Sequence, residues 1–188
     1  MGEYTEKYDA AVLFMQSKKA DNMPHSDSDL LSHLRDTADL LESWGNSEDI
    51  CLAGLCHAVY GTEGFKNSML DISEREILVQ IIGEAAEELV YFYASAERDS
   101  FSPSINRERV KFRDRFTGEV FEPNETMLRH CLELMLANDI EISSRWEQFR
   151  RYTQPYNSEL FTRCKNYVSE AGFDSMCKVY DVGHEAAS

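Results

Sequence analysis

Positive charge is what this sequence has least of. Nineteen lysines and arginines stand against 34 aspartates and glutamates, for a net charge of −15 over 188 residues. Such a chain repels the phosphates of nucleic acids and of anionic membranes, so neither is an expected partner. A small phosphorylated ligand needs only a local basic cluster and stays open. Long apolar runs are missing too: no window approaches the ~18 apolar residues of a membrane-spanning helix. The N-terminal MGEYTEKYDA has no apolar signal core, and Glu6 stands where a myristoylation signal wants a hydroxyl. Cysteine pairing is the third absence. The five cysteines (Cys51, Cys56, Cys131, Cys164, Cys177) are odd in number, form no C-x-x-C pair and sit among apolar residues. They read as small buried hydrophobes in a reducing compartment. The expected location is cytoplasmic.

What is present is helical periodicity. With 43% hydrophobic and 28% charged residues, the composition is that of a globular domain, and apolar residues recur at steps of three and four. A first helix is expected over residues 5–19, with Tyr8, Val12 and Met15 on one face. The second carries the stripe Leu30, Leu31, Leu34, Ala38, Leu41, is capped by Ser26 or Asp27, and stops at Gly45. A third follows Asn46-Ser47-Glu48-Asp49. Its Ile50, Leu52, Ala53, Leu55, Cys56 and Val59 leave almost no polar face, so it must be central. Further helices are expected over 72–83, 84–98, 125–151 (the longest) and 157–180, with Gly172 interrupting the last. Between them RVKFRDRFTGEVFEP alternates, turns at Thr117-Gly118 and resumes, which predicts a β-hairpin over about 107–122. The expected architecture is all-α: one helical domain over 1–188, its core at about 25–150, carrying a small inserted hairpin.

Two histidines point at one interior. His33 borders the stripe of the second helix, and His57 ends the most apolar helix. Each imidazole needs a polar partner there. On the long helix Asp139 shares the face of Leu128, Leu132, Met135 and Ile142, where a carboxylate is costly unless paired or bound to metal. His130, about half a turn out of phase with Asp139, is expected outside that set.

At these residues the chain resembles a known family. LLSHLRDTADLLESWGNSEDICLAGLCHAVYGTEGF looks like the first half of an HD-domain phosphohydrolase core, in particular the hydrolase domain of Rel/SpoT proteins, whose H-x-x-x-V-A-x-I-L is followed by A-A-x-L-H-D. The spacing of 24 residues between the two histidines is similar, and LMLANDIEISSRW resembles the segment V-K-L-A-D-R-L-H-N-M. The resemblance spans roughly 25–150 and implies His33, His57 and Asp139 as three of four ligands to a divalent metal (Mn, Fe or Zn). Two departures bear on mechanism. The doublet aspartate is Ala58, and the Glu-Asp pair that helps activate water in Rel/SpoT hydrolases aligns with Gly61 and Thr62. The chain also resembles a little-characterised HD-like group with His-[Ala/Ser]-Val-Tyr-Gly-Thr-Glu and a preceding Pro-His-Ser; both occur here, at 57–63 and 24–26.

Other residues could complete such a site. His25, eight residues before His33, is a candidate third nitrogen ligand. Glu63, just past Gly61, is a candidate general base, and Tyr60 a candidate hydrogen-bond donor to a bound ligand. Arg35 and Thr62 are candidate substrate contacts. Arg107, Arg109, Lys111, Arg113 and Arg115 form a basic hairpin that either receives an anionic substrate or pairs with the surplus of acids. The run Tyr91, Phe92, Tyr93 is either core or a homodimer face. Three readings follow. The first is a mononuclear metal-dependent enzyme on a small, phosphorylated or carboxylated metabolite, by hydrolysis or by iron-dependent oxygenation. The second is a non-catalytic descendant that binds a ligand or partner. The third is a helical domain whose histidines are only hydrogen-bonded core residues.

Overall fold

The computed structural model describes residues 2–25, 28–106 and 109–183. The chain packs as two compact units, residues 1–94 and 95–188, and each is taken in turn. The fold is all-α with short β-hairpins.

In the first unit, helix α1 (Gly2–Ser17) is followed by a 3-10 turn, Ala20–Asn22, and a two-residue ribbon, β1 (Pro24–His25) with β2 (Ser28–Asp29), paired antiparallel as Pro24 to Asp29 and His25 to Ser28. The ribbon delivers Asp29 as the N-cap of α2 (Leu30–Ser43), where its carboxylate accepts from the Ser32 amide at 2.9 Å and hydroxyl at 2.7 Å. The expected caps, Ser26 and Asp27, lie outside the described residues. Gly45, at φ +80°, ends α2 in the left-handed region. Helix α3 (Glu48–Cys56) is buried from Ile50 to Cys56, as its lack of a polar face predicts. A 3-10 turn at Ile72–Glu74, opened by the capping box of Asp71 and Glu74, leads into α4 (Arg75–Ile82). Gly83 separates α4 from α5 (Glu84–Ser95), at whose end the first unit stops.

The packing of α2 on α3 positions the histidines. Leu30, Leu34, Ala38 and Leu41 on one helix and Leu52, Ala53 and Leu55 on the other are buried. Burial of a leucine of this kind stabilises by about 1.5–3 kcal/mol. The helices lie close at Gly54, where a Cβ would lie 2.5 Å from Leu41 Cδ1 and 3.5 Å from Ala38 Cα.

The second unit opens with the short α6 (Arg98–Phe101) and a 3-10 turn, Ser102–Ser104. The predicted hairpin is there: β3 (Phe112–Arg113) pairs antiparallel with β4 (Val120–Phe121), and Gly118 turns at φ +76°. Phe112 is its buried anchor, its ring 5.6 Å from Phe101 and 5.4 Å from Phe121. Then come α7 (Glu125–Arg145), α8 (Glu147–Arg163) and α9 (Glu170–Tyr180). This corrects the expected boundaries. The helix expected over 125–151 breaks at Trp146, whose backbone is extended (φ −111°, ψ 95°) and whose ring stacks on Phe149. Residues 157–163 belong to α8. Gly172 does not interrupt the last helix but donates its amide to the Ser169 cap in the first turn of α9. Buried Glu133 accepts from the Ser169 amide at 2.8 Å and hydroxyl at 2.5 Å, tying α7 to the start of α9.

Candidate metal centre

His33 sits in the first half of α2 and is wholly buried; His57 is the C-cap of α3 and 3% exposed. Their Nε2 atoms stand 3.3 Å apart, with ring centroids 5.2 Å apart and planes crossing at 86°. The edge of the pair is closed by Tyr93, whose ring centroid lies 5.3 Å from that of His57. Both histidines face inward, as the stripes of their helices predict, and the structure brings them together.

The protonation of the pair follows from its partners. His57 Nδ1 lies 2.8 Å from the Gly54 carbonyl oxygen. A carbonyl only accepts, so Nδ1 carries the proton and, in the neutral ring, Nε2 presents a lone pair. His33 Nε2 faces that lone pair and donates to it in the absence of any ion.

A divalent ion is what the HD-like resemblance implies, and the donor geometry fits one. Two imidazole nitrogens about 2.05 Å from a single tetrahedral ion stand about 3.3 Å apart, with ring centroids about 5.2 Å apart. A collinear N–H···N bond of the same length would set the centroids roughly 5.6 Å apart. The observed 3.3 and 5.2 Å match the bent arrangement. A ring nitrogen anchored on a backbone carbonyl is also the usual outer support of a metal-binding histidine. Among the described residues, however, no group of three or more His, Cys, Asp or Glu side chains is placed to hold an ion. The pair therefore supplies two donors.

Asp139 is 2% exposed in the second unit, as its place on the apolar stripe of α7 predicts, and is clamped there by Arg98. The guanidinium donates from Nη1 to Oδ2 at 3.0 Å and from Nη2 to Oδ1 at 3.2 Å, and Asn138 Nδ2 adds a bond to Oδ1 at 2.9 Å. Its carboxylate charge is thus already compensated. His25 is described in its backbone only, so its proposed ligation lies outside the described side chains.

Tyr60 is buried and its hydroxyl donates to Glu87 at 2.8 Å. Arg75 holds the same carboxylate through Nε at 2.7 Å and Nη2 at 2.6 Å while stacking on Tyr91 at 4.0 Å. Burial, reinforced by the Glu87 carboxylate, pushes the Tyr60 phenol well above its ordinary range, so it stays protonated. Glu63 is exposed in the loop beyond Gly61. Thr62 closes that loop, its amide donating to Phe65 O at 2.6 Å and its Oγ1 accepting from the Phe65 amide at 3.0 Å. Gly61 is required there: at φ +68° a Cβ would meet the carbonyl oxygens of Phe65, Asn67 and Lys66 at 3.1–3.4 Å. Arg35 is exposed, about 200° around α2 from buried His33.

Glu87 is the residue that sequence reasoning missed. It is in helical phase with Val90 and Ala94, so its burial had a signal; its partner Arg75, on another helix, had none. Phe92 and Tyr93 are buried and Tyr91 half-buried under Arg75, so the aromatic run belongs to the interior. In the hairpin Arg109 pairs with Glu122 at 3.2 Å, Arg113 with Glu97 at 3.8 Å, and Arg115 stacks on Phe116 at 4.1 Å. Arg107 lies outside the described residues. All five cysteines are buried and unpaired with one another, and burial raises the Cys56, Cys131 and Cys164 thiols to about 12. They are poor nucleophiles.

The fold and this pair define a helical protein with a buried two-imidazole site. Residues 14–98, which include both histidines, match a family described as a domain of unknown function (DUF6817). Neither the curated proteins nor the solved structures contain a match. No helix of the described residues is long and apolar enough to cross a membrane.

Proposed function

We propose that this chain is a mononuclear, HD-like metal-binding protein whose two imidazole donors are His33 and His57, acting on a small phosphorylated or carboxylated metabolite. The observation that carries the reading is the buried pair itself, with Nε2 atoms 3.3 Å apart and His57 anchored through Nδ1 on Gly54. Two imidazoles favour a borderline ion such as Zn(II), Fe(II) or Mn(II) over Ca(II) or Mg(II). Such an ion supplies Lewis acidity or an activated water when bound. The chain's own residues would orient it: Gly54 O fixes the His57 tautomer, and the burial of both rings, with Tyr93 packed on His57, keeps bulk water from the nitrogens. Holding the ion would require His33 to carry its proton on Nδ1 instead of Nε2, and protonation of either ring competes with the ion, so uptake is weaker at low pH.

Ala58 has no donor, so the usual bridge between two metals is absent and one ion is expected. Hydrolysis of a phosphoester is the first reaction class, and oxygenation at iron the second. One observation favours a non-catalytic metal- or ligand-binding role instead: Tyr60, the expected ligand contact, is committed to Glu87. Elemental analysis of purified protein tests the proposal. Near-stoichiometric Zn, Fe or Mn that disappears in His57→Ala supports it, and folded wild-type protein that refuses metal defeats it. Phosphate release against oxygen consumption over a substrate panel then separates the two reaction classes.

A further inference from the structure

We infer that Gly54 is a positioning residue for the imidazole pair, setting both the tautomer of His57 and the distance to His33. Two separate features of one residue carry this. Its carbonyl oxygen accepts from His57 Nδ1 at 2.8 Å, which leaves Nε2 as the lone pair facing His33. Its missing side chain leaves room for α2: a Cβ there would lie 2.5 Å from Leu41 Cδ1 and 3.5 Å from the Ala38 backbone. Leu41 is wholly buried, so admitting the methyl takes either a new Leu41 rotamer within the core or a shift of α2, which carries His33, and we assign the shift. The contact lies five (Ala38) and eight (Leu41) residues along α2 from His33 and three along α3 from His57, within about two turns of the pair on α2 and about one on α3. A displacement at this point is passed directly to the 3.3 Å gap.

The consequence for metal rests on the proposed function, but the positioning itself can be read without an ion. The test uses the full chain, freed of metal and labelled with 15N at histidine. In wild-type protein the His33 Nε2 proton should resonate downfield, held by His57, and His57 should show the Nδ1–H tautomer. In Gly54→Ala the downfield proton should shift or exchange away, and Co(II) affinity should fall about tenfold or more, the scale of lost outer support. In Gly54→Ala/Leu41→Ala the added methyl fits the vacated space. The downfield proton should return, and cobalt affinity should recover to within about threefold of wild type, even though the double variant loses core carbons and melts lower than Gly54→Ala. A merely structural role predicts the reverse order, with the least stable variant binding worst. That order, or a Gly54→Ala protein with wild-type ring signals, overturns the inference. If Gly54→Ala does not fold, the double variant must still fold with wild-type signals, and its failure to do so is equally fatal. Wild-type protein that takes up no cobalt defeats the metal reading alone, since the ring signals still decide the role of Gly54.

Discussion

The first unit buries two weak bases against each other, and the second buries an acid against a base. His33 and His57 are buried imidazoles whose Nε2 atoms face each other at 3.3 Å. Asp139 and Arg98 are opposite charges joined by two hydrogen bonds and reinforced by Asn138. Removing charges from water is expensive, so a buried carboxylate is tolerated only with its counter-charge in place. A neutral imidazole is far cheaper to bury and keeps a lone pair for a ligand. The difference teaches where chemistry can enter: the charge pair satisfies itself, whereas the imidazole pair faces ring nitrogens toward each other, where the proposed ion would sit.

That contrast predicts unequal responses to mutation. The largest effect should come from Arg98→Ala, which leaves Asp139 buried without its cation and costs about 3–5 kcal/mol. Urea unfolding checks this, and adding Asp139→Asn should recover most of the loss. If Arg98→Ala is silent, the two clusters do not differ as described. Next is Glu87→Gln in the first unit, which weakens the bonds from Arg75 and Tyr60 and should cost about 2 kcal/mol. Because Glu87 is a support and not a ligand, metal content should be unchanged. Tyr60→Phe removes one hydroxyl and should cost about 1 kcal/mol. Turnover that vanishes in this variant while stability holds would return Tyr60 to the reacting groups. The smallest effect is at the entrance to α2. Loss of the Asp29 cap in Asp29→Ala should cost about 1 kcal/mol. Burial raises the Asp29 carboxyl, but hydrogen bonds from Ser32 outweigh it and hold it below the ordinary carboxylate value. Its contribution is therefore present above that ordinary value and fades as pH falls through the lowered one. Wild-type protein and Asp29→Ala should converge in stability at acid pH.

The legible parts of this molecule were those that a single helix determines. The α2 stripe, the featureless burial of α3 and the alternation of the hairpin are local patterns. They placed His33, His57 and Asp139 inside before any contact was known. Partners were another matter. Arg98 reaches Asp139 across 41 residues, and Arg75 reaches Glu87 across 12 from another helix, so neither pairing has a periodicity to betray it. The break at Trp146 was hidden because neither glycine nor proline marks it, while Pro155 sits inside α8 without ending it. Glu63 and Thr62 were singled out by adjacency to His57, but Gly61 turns the chain, so that neighbours in sequence become an exposed loop.

X-ray absorption at the metal edge of the purified chain tests the central claim most directly. One ion per chain, showing the multiple-scattering signature of two imidazoles in wild-type protein and of fewer in His33→Ala, is the predicted result. An ion surrounded by oxygen or sulfur alone, or a spectrum that His33→Ala leaves unchanged, would contradict it.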